Sequence, residues 1–185
     1  HSFFLGGFEC STHRLRNGRR LDLLEATRHV EFVQADYHRL QQQGICTARS
    51  GIRWHLIEPA PYQYDFSSVL PMVQAARRTG MQVIWDLCHY GWPDDLDIFR
   101  PEFVARFAAL AQAFTRLLRS ESDATPLLTP INEISYFSWA AGEVEYMNPF
   151  ARDRGLELKT QLVRAAIAGM EAVWEVAPAA QFIHV

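Results

Sequence analysis

Leu127-Leu128-Thr129-Pro130-Ile131-Asn132-Glu133 joins an apolar run to two polar residues. A short, largely apolar run stops abruptly on an amide and a carboxylate. A run of that length with polar boundaries reads as a buried strand. The same rhythm continues outward on both sides. Upstream, Gln82 to Leu87 (Gln-Val-Ile-Trp-Asp-Leu) is a third strand, Ile45 to Arg49 a second, and Phe3 to Glu9 a first. Downstream, Gln181 to Val185 begins a fifth. Helical patterns lie between them. One covers Leu23 to Gln43 and ends at Gly44. The next can be capped by Ser67, runs through Val69, Leu70, Val73 and Ala76, and stops at Gly80. A third starts near Pro101 and carries Phe103, Phe107, Leu110, Phe114 and Leu117 at spacings of three and four, a core-facing stripe. The fourth runs from Leu156 to Val176. Glycine suits a helix end because it tolerates positive φ, and proline suits the first turn.

Alternation of this kind argues for a parallel sheet with helices packed outside it. Two architectures share the rhythm at five strands: a flavodoxin-like open sheet and the first half of a (β/α)₈ TIM barrel. Periodicity alone fits both. Gly6-Gly7 lies inside the first strand and does not make a dinucleotide-binding fingerprint. The residues after each strand separate the two. Strand one leads to Ser11-Thr12-His13-Arg14, and strand two to Arg53-Trp54-His55 and Glu58-Pro59. Strand three leads to Asp86, His89-Tyr90 and Trp92-Pro93, and strand four to Asn132-Glu133, Tyr136 and Trp139. Barrel enzymes build their sites from these strand ends. The expected fold is therefore α/β, an incomplete TIM barrel, with residues 1–185 forming part of one domain.

At 185 residues and 49% hydrophobic, the chain can bury a sizeable core. A net charge of -3 argues against nucleic acid or an anionic membrane as partner. No apolar run approaches the roughly 18 residues of a membrane span. The Arg14 to Arg20 stretch is basic but has no interleaved aromatics, so a solvated loop is expected there. Cys10, Cys46 and Cys88 are odd in number and widely spaced, which suits neither a disulfide framework nor a zinc cluster. A reducing compartment, hence a cytoplasmic location, is expected. The start, His1-Ser2-Phe3-Phe4-Leu5, has no basic region followed by an apolar one. It begins almost inside a strand, and residues upstream are expected.

The strand-end residues resemble the clan of retaining (β/α)₈ glycosidases, and within it the family-1 β-glucosidases. Phe4-Leu5-Gly6-Gly7 is similar to that family's opening strand, and Arg49 through Trp54 to Glu58-Pro59 to its second strand and loop. Tyr64-Asp65-Phe66 resembles a segment before its second helix, and His89-Tyr90 resembles its His-Trp. Thr129-Pro130-Ile131-Asn132-Glu133 resembles its Thr-Phe-Asn-Glu-Pro motif. Ile134 stands where the family has proline, Pro130 is an extra proline, and His13-Arg14 stands where it carries a sugar-binding glutamine. A whole barrel takes about 250 residues, so this chain supplies about half the strands. The family's nucleophilic glutamate belongs to a seventh strand beyond it.

The resemblance implies a small-molecule glycoside as substrate and no cofactor. Retaining hydrolysis needs two carboxyl groups about 5–5.5 Å apart. Glu133 takes the place of the acid/base, which calls for a carboxyl kept protonated by partial burial and a nearby nucleophile. Asn132 would address the sugar's 2-hydroxyl, Arg49 the nucleophile, and His89 a sugar hydroxyl. Trp54, Tyr136 and Trp139 are candidate walls for sugar rings, each equally a core residue by type, while Trp85 and Trp174 are expected in the core. A metal site of Asp86, His89 and His55 lacks tight ligand spacing, so no metal is expected. A non-catalytic carbohydrate-binding barrel, or an inactive fragment, is the alternative. A half barrel standing alone would expose a strand edge and self-associate.

Overall fold

Apolar runs separated by amphipathic segments fold here into alternating strands and helices. In the computed structural model, which describes residues 3–185, the strands are β1 (Gly6–Gly7), β2 (Thr47–Gly51), β3 (Gln82–Cys88), β4 (Leu127–Ile131) and β5 (Gln181–Phe182). The helices are α1 (Leu23–Ala26), α2 (His29–Gln42), α3 (Trp54–Ile57), α4 (Leu70–Thr79), α5 (Pro101–Glu121), α6 (Ile134–Phe137) and α7 (Gly155–Val176). A π-helical turn, Ser138–Glu143, follows α6. His1 and Ser2, where the N-terminal reading starts, lie outside the described residues.

Every strand pair is parallel, and the order across the sheet is β1-β2-β3-β4-β5. That order separates the two architectures left open by periodicity. A flavodoxin-like sheet runs 2-1-3-4-5, with its first strand inside. Strands that follow one another around the sheet are the barrel arrangement. The chain is α/β, with the topology of the first half of a TIM barrel.

Register then decides which side chains meet. Arg49 lies opposite Ile84, Gly51 opposite Asp86, and Asp86 opposite Thr129. Paired residues of parallel strands share a face, and faces alternate along each strand. Trp85 packs edge-on against Phe114 of α5, ring centroids 5.8 Å apart, so it faces the helices. Asp86, one residue on, faces the other side together with Arg49. The helix-side layer is apolar and aromatic, and Phe103, Phe107, Leu110 and Phe114 are fully buried as their stripe predicts. One buried carboxylate crosses this layer. Glu58 accepts from the Trp54 indole N–H (2.5 Å), the Tyr62 backbone N–H (2.8 Å) and Arg106 Nε (3.0 Å), and Arg106 also donates to Asp95 (2.7 Å). A charge is tolerated in such a layer only when it is paired and hydrogen-bonded.

Several expectations are corrected. The single helix over 23–43 is two. Asp22 caps α1 by accepting from the Glu25 N–H (3.1 Å), and Arg28 then turns left-handed at φ 56°, which seats His29 flat on Phe8 at 3.7 Å. The first strand contracts to two residues because β1 is a sheet edge paired only with β2, and Phe3, Phe4 and Leu5 are exposed. The fifth is shortened likewise. Ser67 does not cap α4. Its N–H donates to Asp65 Oδ1 (2.8 Å), and the helix starts at Leu70 with Pro71 in its first turn. Trp174 is 42% exposed rather than core, with its indole N–H on the Ala180 carbonyl (3.1 Å). The basic loop is tied down as well as solvated, because Arg14 and Arg20 both grip Asp94. Gly44 and Gly80 do end their helices at φ 74° and 69°. No helix among the described residues is long and apolar enough to cross a membrane.

Candidate active site

β3 and β4 end side by side, with Cys88 opposite Ile131, so the residues that follow them meet at one mouth. A continuous hydrogen-bonded network fills that mouth. From β2, Arg49 presents its guanidinium as a fork to Asp86, Nε to Oδ1 at 2.8 Å and Nη2 to Oδ2 at 2.7 Å. The same Nη2 donates to Asn132 Oδ1. Asp86 Oδ2 lies 2.9 Å from His89 Nδ1. Asn132 Nδ2 stands 3.1 Å from His89 Nε2 and 2.7 Å from Tyr90 Oη. The Tyr90 hydroxyl donates to Glu133 Oε2.

The donor inventory sets the direction of each proton. Arginine only donates, so Asn132 turns its oxygen to Arg49 and its NH₂ to His89 and Tyr90. His89 Nε2 is then an acceptor, and the ring proton sits on Nδ1, given to Asp86. With Tyr90 Oη accepting from Asn132, its own proton goes to Glu133. Burial, and then the hydrogen bond to Glu133, hold the Tyr90 hydroxyl well above the ordinary phenol range.

Backbone geometry brings the last two partners together. Tyr90 has φ 65° and Glu133 has φ 44°, both left-handed. Side chains with a Cβ rarely adopt that region, and such residues cluster at functional sites. Gly91 explains how the loop fits. A Cβ there would stand 2.0 Å from Thr12 Oγ1 and 2.6 Å from the Thr12 carbonyl oxygen. The chain after β3 therefore lies directly on the loop after β1, where Thr12 donates to the His89 carbonyl (3.1 Å).

Arg49, His89, Asn132 and Glu133 are thus brought together. Glu133 is exposed at the mouth, so the partial burial expected of it is not supplied by the described residues. Tyr136 on α6 and Trp139 in the π-helical turn are 39% and 51% exposed, their rings 6.0 Å apart, with Tyr136 5.9 Å from Tyr90. They form an aromatic line leading outward from Glu133. Trp54 is not with them. It is 0% exposed, packed on Phe103 (5.4 Å) and Phe107 (5.6 Å), because its indole N–H finds its acceptor in the buried Glu58. Sequence reasoning places Asp86 and Tyr90 in the cluster after the third strand but assigns neither a role in the site, Asp86 entering only a metal reading and Tyr90 only a motif. Asp86 had a signal, since a carboxylate inside an apolar strand demands a cation. The left-handed backbone that aims Tyr90 had none.

Cys10, Asp86 and His89 place donor atoms within 4.8 Å of one another, a spacing that could hold a metal ion. The contacts oppose that use. The Arg49 fork already occupies both Asp86 oxygens, and burial, then Asp86, push the Cys10 thiol well up. His55 lies apart, among Arg20, Asp22 and Arg53, and burial lowers it to about 4. A depression of about 560 Å³ opens at the opposite, N-terminal ends of β3 and β4, lined by Val73, Met81, Trp85 and Leu127. It contains no carboxylate or histidine, so it lacks groups for acid/base work.

No protein-family model and no curated protein sequence matches the chain. Solved structures do. A family-1 β-glucosidase from Thermotoga maritima superposes with a TM-score of 0.75 at 14% identity, over 84% of this chain and 37% of that one. The same organism's β-glucosidase in complex with glucoimidazole gives 0.74 at 14% identity, over 83% and 37%. The virulence factor SghA from Agrobacterium tumefaciens gives 0.73 at 20% identity, over 83% and 36%. At such identity the likeness is one of fold. The chain has the arrangement of part of a β-glucosidase barrel and spans little more than a third of those structures' length.

Proposed function

We propose that residues 1–185 are the N-terminal part of a single-domain retaining (β/α)₈ glycoside hydrolase, β-glucosidase-like in substrate, with Glu133 as general acid/base. One observation carries this reading. The Glu133 carboxylate stands at the C-terminal end of β4, tied through Tyr90 and Asn132 to the Arg49–Asp86–His89 cluster. In this reading Glu133 protonates the departing oxygen and then takes a proton from the water that releases the sugar. The nucleophile comes from outside this chain. Arg49 Nη1 has no hydrogen-bond partner among the described residues and is the donor left to hold an ionised nucleophile. His89, with its proton on Nδ1, offers Nε2 as acceptor to a sugar hydroxyl. Asn132 exchanges a donor from His89 or Tyr90 to the sugar. Tyr136 and Trp139 offer ring faces to the C–H surfaces of the substrate.

Alone, the chain carries one of the two carboxylates the reaction needs. It is inactive by itself on this account, and the open edges of β1 and β5 favour self-association. Cys10, Cys46 and Cys88 form no disulfide, which suits a reducing, cytoplasmic setting. The test uses the complete barrel protein. Glu133→Gln lowers turnover of aryl β-glucosides with poor leaving groups by roughly 10²–10⁴-fold, while sugar affinity by calorimetry holds. Unchanged turnover overturns the assignment. Sugar binding by the wild type without hydrolysis replaces it with a carbohydrate-binding barrel.

A further inference from the structure

We propose that Tyr90 is a positioning residue for Glu133: its hydroxyl holds Oε2 and leaves Oε1 as the oxygen that exchanges the proton with substrate. The proposal rests on the glycosidase reading above and deepens it. A carboxylate on a flexible side chain has two equivalent oxygens, and acid/base transfer needs one of them at a fixed place. Here one oxygen is taken. Tyr90 donates to Oε2, and Asn132 Nδ2, also 3.5 Å from Oε2, donates to Tyr90 Oη at 2.7 Å. Asn132 is itself held by Arg49. The chain Arg49 to Asn132 to Tyr90 to Glu133 therefore passes its donors in one direction and ends on the carboxylate.

The ring is as well fixed as the hydroxyl. Tyr90 is 6% exposed, with the His89 ring at 4.8 Å, Phe137 at 5.2 Å and Tyr136 at 5.9 Å. Both ends of the hydrogen bond stand on left-handed backbone, at Tyr90 and at Glu133. Strained positions on two different strand ends, converging on one contact, are what a functional constraint leaves behind. The titratable and charged groups around the pair are His89 and His13 beside the Tyr90 ring, Tyr136 from α6, Arg49 and Asp86 behind Asn132, and Glu9 against His89 at 3.5 Å. Among the described residues, Tyr90 and Asn132 are the side chains that hydrogen-bond the Glu133 carboxylate.

A donor to the carboxylate stabilises its ionised form. It eases proton release in the first step and weakens the same group as a base in the second. Tyr90→Phe keeps the ring packing and removes only that donor. In the complete protein it moves the alkaline limb of kcat/KM for an aryl β-glucoside to higher pH by about one unit or more. It lowers kcat on a poor leaving group by about tenfold, a one-unit equivalent, with KM little changed. A second measurement does not depend on hydrolysis. Carbon-13 signals of labelled tyrosine follow the Tyr90 phenol in the wild type and in Glu133→Gln, and the variant's phenol ionises at lower pH. An alkaline limb that stays put in Tyr90→Phe overturns the proposal, as does a phenol titration indifferent to Glu133→Gln. A wild type that binds but never cleaves glucosides defeats the glycosidase reading instead, and the tyrosine signals still report whether the pair exists.

Discussion

Trp54 and Trp139 both follow a strand end, and by residue type both are candidate walls for a sugar. The fold sends them to opposite environments. Trp54 is buried against Phe103 and Phe107 of α5, its indole N–H on Glu58, which Arg106 neutralises. Trp139 stands open on the π-helical turn beside Tyr136. The polar groups around each teach the same lesson. In the helix-side layer the two side chains that hold Glu58, Trp54 and Arg106, are buried with it, and the carboxylate is enclosed. At the strand mouth the donors run in series from Arg49 through Asn132 and Tyr90, and the series ends on Glu133, which faces solvent. A closed polar cluster serves the fold, and an open-ended one is available for chemistry.

The largest effect is expected at the enclosed Glu58. Arg106→Met leaves Glu58 buried without its cation and costs roughly 3–5 kcal/mol in chemical denaturation, with the pH dependence of activity unmoved. A cost below about 1 kcal/mol, the range of surface ion pairs, would mean the helix-side cluster is no more structural than the mouth. Next comes the open end. Trp139→Ala changes stability by no more than about 0.5 kcal/mol, as exposed positions do, and raises KM for aryl glucosides. A large loss of stability with KM unchanged would assign Trp139 to the core after all.

The smallest effect is a slope. Burial lowers His55 to about 4, and its Nδ1 is buried without a hydrogen-bond partner among the described residues. The unfolded chain protonates this histidine near its ordinary value of about 6.5. Its contribution to stability is therefore complete above that pH and is lost as pH falls from about 6.5 through 4. Burial also lowers His13 and His29, which act in the same direction. Denaturation midpoints at pH 7 and pH 5 should differ less in His55→Asn than in the wild type. An equal difference would remove His55 from the acid sensitivity.

Legibility in the sequence followed the same division. β3, β4, α5 and α7 were readable because each is buried along a run or a stripe long enough to show its period. The sheet order was not, since both candidate folds share one rhythm of elements. Nor was the break at Arg28, which depends on left-handed backbone in a residue with a Cβ. Arg49, His89, Asn132 and Glu133 were readable as polar residues at strand ends. Trp54 reads equally as wall or core because residue type says nothing about whether an acceptor waits inside, and Glu58 is that acceptor. The Tyr90–Glu133 contact is not legible in the sequence, because it needs two unusual φ values that no glycine announces.

If Glu133 exchanges a proton at the scissile bond, chemical rescue reveals it. In the complete protein Glu133→Ala removes the acid/base and leaves the nucleophile. A dinitrophenyl β-glucoside needs no protonation to lose its aglycone, so the glycosyl–enzyme forms and then waits for a base. Azide needs no base to attack it. Azide should restore turnover, and the product should be β-glucosyl azide, with configuration retained. Turnover indifferent to azide, or an α-configured product, would contradict it.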